Sequence, residues 1–109
     1  MVNKSFCSRV DLEPECLKLK DKKVRIRLEY YLIEDTYEHP EQSKVNTFGI
    51  EVVKKEYLSD DVINIEKKAA AHLSLYREKV ETLIGKLSEN TVTPFSLIGV
   101  LDNIIGVSF

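Results

Sequence analysis

Cysteine, proline and glycine are scarce in this chain, and each shortage excludes something. Cys7 and Cys16 are its two cysteines, too few for a disulfide framework, and reduced thiols near one end are the expectation. Neither belongs to a C-x-x-C pair. His39 and His72 are distant and singly spaced, with no H-x-x-x-H pair, so no metal site is expected. The four glycines form no Gly-rich phosphate loop and no G-x-S-x-G; no cofactor is implied and no nucleophile elbow is present. No apolar run approaches the roughly 18 residues of a membrane span. The opening "MVNKSFCSRVDLEPE" lacks the continuous apolar stretch of a secretory signal, and a cytoplasmic location is expected. Charge of one sign is not in excess either. Sixteen Lys and Arg stand against 18 Asp and Glu, a formal net charge of -2, which gives no whole-molecule attraction to nucleic acid or to an anionic membrane.

What is present suits one domain. The chain has 109 residues, 43% hydrophobic and 31% charged, ordinary values for a globular protein with a conventional core. Residues 1–21 show no sustained period and contain Pro14; they read as a flexible N-terminal arm, with a single domain over 22–109. The first clear signal is "KVRIRLEYYLIED". Val24, Ile26, Leu28, Tyr30 and Leu32 fall on one parity, and Lys23, Arg25, Arg27, Glu29 and Tyr31 on the other. That alternation is a strand with one wet face. "TYEHPEQSKVN", with Pro40, reads as a long hairpin loop. Alternation resumes in "TFGIEVVKKEY", which turns Phe48, Ile50 and Val52 to the core. Gly49 inside this strand marks a close neighbour or a bulge. "LSDD" is a turn, and Asp60-Asp61 is turn chemistry rather than a metal site.

"VINIEKKAAAHLS" admits two readings. Ile63, Ile65, Ala69, Ala71 and Leu73 share a strand parity, interrupted by Lys67. The run from Glu66 also consists of strong helix formers. A strand to about Ala71, followed by a helix after Ser74, is the preferred reading of 62–73, and a longer helix is the alternative. From there the period is helical: Tyr76, Val80, Leu83, Ile84 and Leu87 make one stripe. "ENT" stops that helix. Thr93 caps a second one, with Pro94 in its first turn. Leu97, Leu101, Ile104 and Ile105 form its stripe, Ile98 widens it, and Phe95 and Val100 lie off its centre. The count of faces gives an α+β two-layer domain, a three-stranded antiparallel sheet covered by two C-terminal helices in the order β-β-β-α-α.

The strings "FGIEVVKKE", "REKVETLIGKLSEN" and "TVTPFSLIGVLDNII" resemble a family of short uncharacterised proteins, a domain of unknown function, from clostridial-type Gram-positive bacteria. The residues that carry the resemblance are Phe48, Gly49, Ile50 and Glu51, then Val80, Leu83, Ile84, Leu87 and Asn90, then Val92, Thr93, Pro94 and Leu97. The chain departs from the pattern at Ser96, where members tend to carry His, and at Ile98 and Gly99, where they tend to be polar or acidic. The resemblance implies a bacterial cytosolic protein and no chemistry.

Nucleophilic catalysis needs a nucleophile, a base and an orienting group brought together. No spacing here does that, so no catalytic residue is assigned and a non-enzymatic protein is expected. Two surfaces remain. The last helix is apolar on more than one face, and Phe95, Ile98, Val100, Leu101 and Ile105 are the candidate contacts of a protein-interaction or regulatory module, a homodimer or a complex with another protein. A helix apolar all round is equally expected as core. The alternative function is an accessory DNA-binding factor in recombination or transcription. Its contacts are Lys22, Lys23, Arg25 and Arg27 on the wet face and edge of the basic strand.

Overall fold

The computed structural model describes residues 3–13, 18–19, 22–38 and 44–108; for 18–19, 22–23, 37 and 105–108 it gives the backbone alone. The strands are β1 (Asn3–Leu12), β2 (Lys18–Leu19), β3 (Lys22–Tyr37), β4 (Val45–Leu58) and β5 (Asp61–Ser74), followed by the helices α1 (Arg77–Glu89) and α2 (Leu97–Ser108). The order across the sheet is β1-β3-β4-β5, every pairing is antiparallel, and the two-residue β2 pairs with β3. The α+β class stands. The three-stranded sheet does not: four long strands are present, because the segment read as an arm supplies β1.

The missing alternation in β1 has a local cause. Phe6 lies opposite Tyr31 and Ser8 opposite Tyr30, so Cys7 is an extra residue that shifts the register. A bulge of this kind moves everything beyond it to the other face of the sheet. Phe6 therefore shares the face of Tyr31, whereas Val10 and Leu12, of the same parity, lie opposite Leu28 and Ile26 and pack against the core. The loop read over 36–46 is shorter than expected at both ends, since β3 runs to Tyr37 and β4 begins at Val45; its centre, 39–43 with His39 and Pro40, lies outside the described residues, as does Cys16.

The segment 62–73 is strand, paired with β4 along most of its length. Ladder pairing and the β-branched Val62, Ile63 and Ile65 override the helix propensity of the Glu-Lys-Ala run. Gly49 explains how β5 ends. Phe48 lies opposite Ser74 and Ile50 opposite Ala70, so Gly49 faces a three-residue excursion, 71–73. A Cβ on Gly49 would sit 2.3 Å from the Ala70 carbonyl oxygen and 2.8 Å from Ala71 Cα, and only glycine admits that approach.

One face of the sheet carries both helices. Leu28, Tyr30, Leu32, Ile50 and Val52 meet Val80, Leu83, Ile84 and Leu87 of α1, Val92 of the connection, and Leu97 and Leu101 of α2. The i, i+3, i+4, i+7 spacing on α1 places all four of its buried residues on the sheet side. Burial of each large side chain contributes about 1.5–3 kcal/mol against chain entropy. The helix expected directly after Ser74 starts later: Ser74 ends β5 two residues before the cap, its hydroxyl accepting the Tyr76 amide at 3.0 Å, and Tyr76 itself occupies the cap without a side-chain bond. Thr93 does not cap α2: its hydroxyl accepts the Ser96 amide at 3.4 Å within the tight turn that Pro94 begins, and the α-helix starts only at Leu97. Among the described residues no helix is long and apolar enough to cross a membrane.

Candidate functional site

The residues assigned to the last helix divide into two groups. Leu101 is buried in the core and Val100 packs half-buried against it. Phe95 is 95% exposed and Ile98, one turn on, is 41% exposed. For Ile105 the backbone alone is described. Pro94 and Phe95 stand beside Glu66, Lys67 and Lys68 of β5, so the turn into α2 overhangs that strand. On the other side of α2, Val100 and Ile104 line a groove of about 430 Å³ with Leu87, Val92 and the end of α1.

The basic strand residues are engaged within the chain. Arg27 Nε donates to Asp11 Oδ1 at 3.1 Å, and Arg9 Nε lies 3.1 Å from Asp11 Oδ2. The Asp11 bond, against the cost of desolvation, holds the Arg27 guanidinium above its usual range. Arg25 Nη2 donates to the Ser59 carbonyl at 2.9 Å and lies 3.7 Å from Asp60. Both guanidinium groups lie near the Tyr57 ring, 5.8 Å away for Arg25 and 5.5 Å for Arg27. A duplex phosphate would compete with these carboxylates. Lys22 and Lys23 lie in β3, and their side chains are outside the described residues.

Further along the same face the charges also alternate. Lys55 Nζ lies 3.1 Å from Glu29 Oε1, and the Tyr31 hydroxyl donates to that oxygen at 3.0 Å. Lys4 pairs with Glu51 and lies over the Tyr31 ring. Burial first, then the bond to Glu29, pushes the Tyr31 hydroxyl up. Glu29, Ile33, Thr47 and Val53 are buried on this face, which the alternation assigns to water. Long neighbours, Tyr31 and Lys55 among them, roof them over with aliphatic and aromatic stems.

A third cluster was not legible in the sequence. His72 has φ 55, a left-handed conformation that costs a non-glycine residue about 1 kcal/mol or more. It sits in the excursion opposite Gly49, where Thr47 Oγ1 lies 2.6 Å from its Nδ1 and Asp35 Oδ2 3.6 Å from its Nε2. Thr47 Oγ1 also lies 3.3 Å from the Asp35 carbonyl oxygen, and one of these two partners takes the single hydroxyl proton. Three strands are thus tied at one point: β3 through Asp35, β4 through Thr47 and β5 through His72. Both ring nitrogens face the chain's own groups, so the cluster acts as a brace on the excursion. Thr47→Val is expected to cost about 1–2 kcal/mol, as the part-buried bonds of its hydroxyl are lost and their partners left behind. For a domain of this size that lowers the melting temperature by roughly 4–16 °C, read by circular dichroism; an unchanged melt overturns the brace. Sequence reasoning missed it because Asp35, Thr47 and His72 meet only through the strand register. The one legible signal was Gly49.

Among the described residues no three His, Cys, Asp or Glu side chains converge as metal ligands, and Cys7 is an exposed free thiol. Neither the curated proteins nor the solved structures give a match to this chain. Residues 12–107 match a family of unknown function (DUF6514). The resemblance carried by the strand, helix and "VTP" strings thus has its counterpart in a match that spans nearly the whole chain, and the protein belongs to that family.

Proposed function

We propose that the protein is a non-enzymatic interaction module that associates with a second copy of itself through the exposed apolar side of the turn into α2. The observation that carries this reading is Phe95. A phenylalanine 95% exposed, one helical turn from the exposed Ile98 and placed on a structured turn rather than a loose end, is apolar surface held ready for a partner. A twofold pair lets one such patch cover its own copy, and nothing else need be supplied. A near-balanced charge, -2 overall, leaves little repulsion between copies. The setting implied by the family resemblance, the cytoplasm of a clostridial-type bacterium, belongs to the same proposal.

The test uses the full chain. Sedimentation of the wild type is expected to show a dimer that dissociates on dilution. Phe95→Asp with Ile98→Asp is expected to give a monomer with an unchanged far-ultraviolet spectrum, because neither side chain lies in the core. A wild type that stays monomeric from micromolar to millimolar concentration overturns the reading.

A further inference from the structure

We infer that the second copy docks by extending the sheet, β5 against β5, in an antiparallel register centred on Lys67. This rests on the self-association proposed above and assigns it a surface.

The starting observation is an open edge. β5 ends the strand order, and its outer side pairs with no strand among the described residues. Residues 61–69 are exposed throughout, with Ile63 43% and Ile65 50% exposed. A long unpaired edge is a template for another strand. Two of the usual defences, Lys67 and Lys68, stand on it, and neither has an ion pair among the described residues.

The register follows from geometry before charge is considered. β5 is irregular at Ile63, beside the shift between Glu56 and Tyr57, and again over 71–73. The regular run between these points is 64–70, and its centre is Lys67. A twofold axis normal to the sheet must also set residues of the same face opposite one another, so it passes through a residue and not between two. Both conditions select Lys67. Ile65 then lies opposite Ala69 of the other copy, and Asn64 opposite Ala70.

Charge supplies an independent agreement. In that register Glu66 of each copy lies opposite Lys68 of the other, giving two reciprocal ion pairs on the helix-bearing face, the side on which Lys68 neighbours Val52 within its own sheet. The Glu66 carboxylate accepts from Asn64 Nδ2 of the same strand at 3.3 Å and has no ion pair of its own among the described residues. The two Lys67 side chains meet at the axis on the opposite face, the one unfavourable contact, and their long stems allow the ammonium groups to diverge into water. Above the axis, the turn bearing Phe95 stands beside Lys67 and Lys68. The twofold therefore brings the two exposed phenylalanines toward each other in the helix layer, so that both layers of the domain continue across the junction.

The experiment is a charge exchange read by sedimentation equilibrium, with circular dichroism as the control for folding. Glu66→Lys and Lys68→Glu, each alone, place like charges at both opposed positions and are expected to weaken the dimer about tenfold or more. Mixed together, the two variants oppose unlike charges at every such position, and a heterodimer of near wild-type affinity is expected. Lys67→Gln removes the axial repulsion and is expected to tighten the wild-type dimer. If the wild type dimerises but the single variants match it, or the mixture shows no rescue, the edge register is overturned while self-association through another surface stands. If the wild type is a monomer at every concentration, this inference falls together with the reading on which it rests.

Discussion

Gly49→Ala is expected to destabilise the chain by about 3 kcal/mol, the upper end of the cost of overpacking. That cost is usually limited by side chains that rotate away. Here the new methyl group would meet the Ala70 carbonyl oxygen at 2.3 Å and Ala71 Cα at 2.8 Å, and both are backbone. Relief requires β5 to move off β4 where the excursion over 71–73 begins, and that excursion carries His72 onto Thr47 and Asp35. The substitution therefore strains the ladder and loosens the brace together. The melting temperature is expected to fall by roughly 12–24 °C for a domain of this size. Since Gly49 has ordinary strand backbone, with no positive φ recorded for any described glycine, the loss would come from the clash and not from lost conformational freedom. The melt of Gly49→Ala by calorimetry decides the matter: a shift of only a few degrees would show that the strands separate easily at this point. Gly85, which has open space around its would-be Cβ and lies within α1, is the internal control. Its change to Ala is expected to be neutral or stabilising by up to about 1 kcal/mol, since alanine is the better helix former.

The same region shows where reading a sequence stops. Alternation in β3 and β4 and the helical stripe from Val80 to Leu87 were legible, because each is a local pattern set by one period, whereas the Thr93-Pro94 step marked the turn ahead of the last helix and not its first residues. Gly49 was legible as a position needing closeness, but not what it was close to. β1 escaped because Cys7 breaks its register: Phe6 and Val10 have one parity and opposite faces, so the period that would reveal the strand is erased by a single residue. The wet face of β3 was assigned correctly near Arg25 and Arg27 and wrongly at Glu29, which is 8% exposed. In a wide sheet the central strands are roofed by their neighbours whether or not a second layer covers them. On the last helix, the off-stripe position of Phe95 did mark an exposed residue, whereas Val100, equally off the stripe, folds half against the core through the groove beside α1. Spacing gives the side of a helix; it does not give what lies beyond that side.

Tyr30 carries the second large effect, and its sign can be worked out. The ring is fully buried between the sheet and the helices, and its hydroxyl donates to the Val92 carbonyl at 2.8 Å. Burial pushes this hydroxyl up to about 12 from an ordinary 10.0, because the phenolate would lose its water and face a carbonyl oxygen it cannot bond. A raised value in the folded state means that the folded chain keeps the proton while the unfolded chain releases it. The stabilisation is therefore complete below pH 10 and is lost as pH rises toward 12. At 1.36 kcal/mol for each unit of displacement the loss is roughly 2–3 kcal/mol. Tyr30→Phe separates this from the general alkaline effect of lysines losing charge and surface tyrosines gaining it. At neutral pH the variant is expected to be less stable by about 1–2 kcal/mol, since Val92, itself 6% exposed, keeps a buried carbonyl without its donor. Between pH 10 and 12 its stability should fall less steeply, so that the two curves converge and cross near the upper end. Denaturant melts of both proteins across that range test the point, and parallel curves would show that the hydroxyl of Tyr30 reaches water. The bond also ties β3 to the connection that leads into α2. Ionising Tyr30 releases the turn on which Phe95 stands only as the folded chain titrates at the upper end of that interval, so self-association is expected to weaken there more steeply in the wild type than in Tyr30→Phe, where loss of lysine charge acts alone.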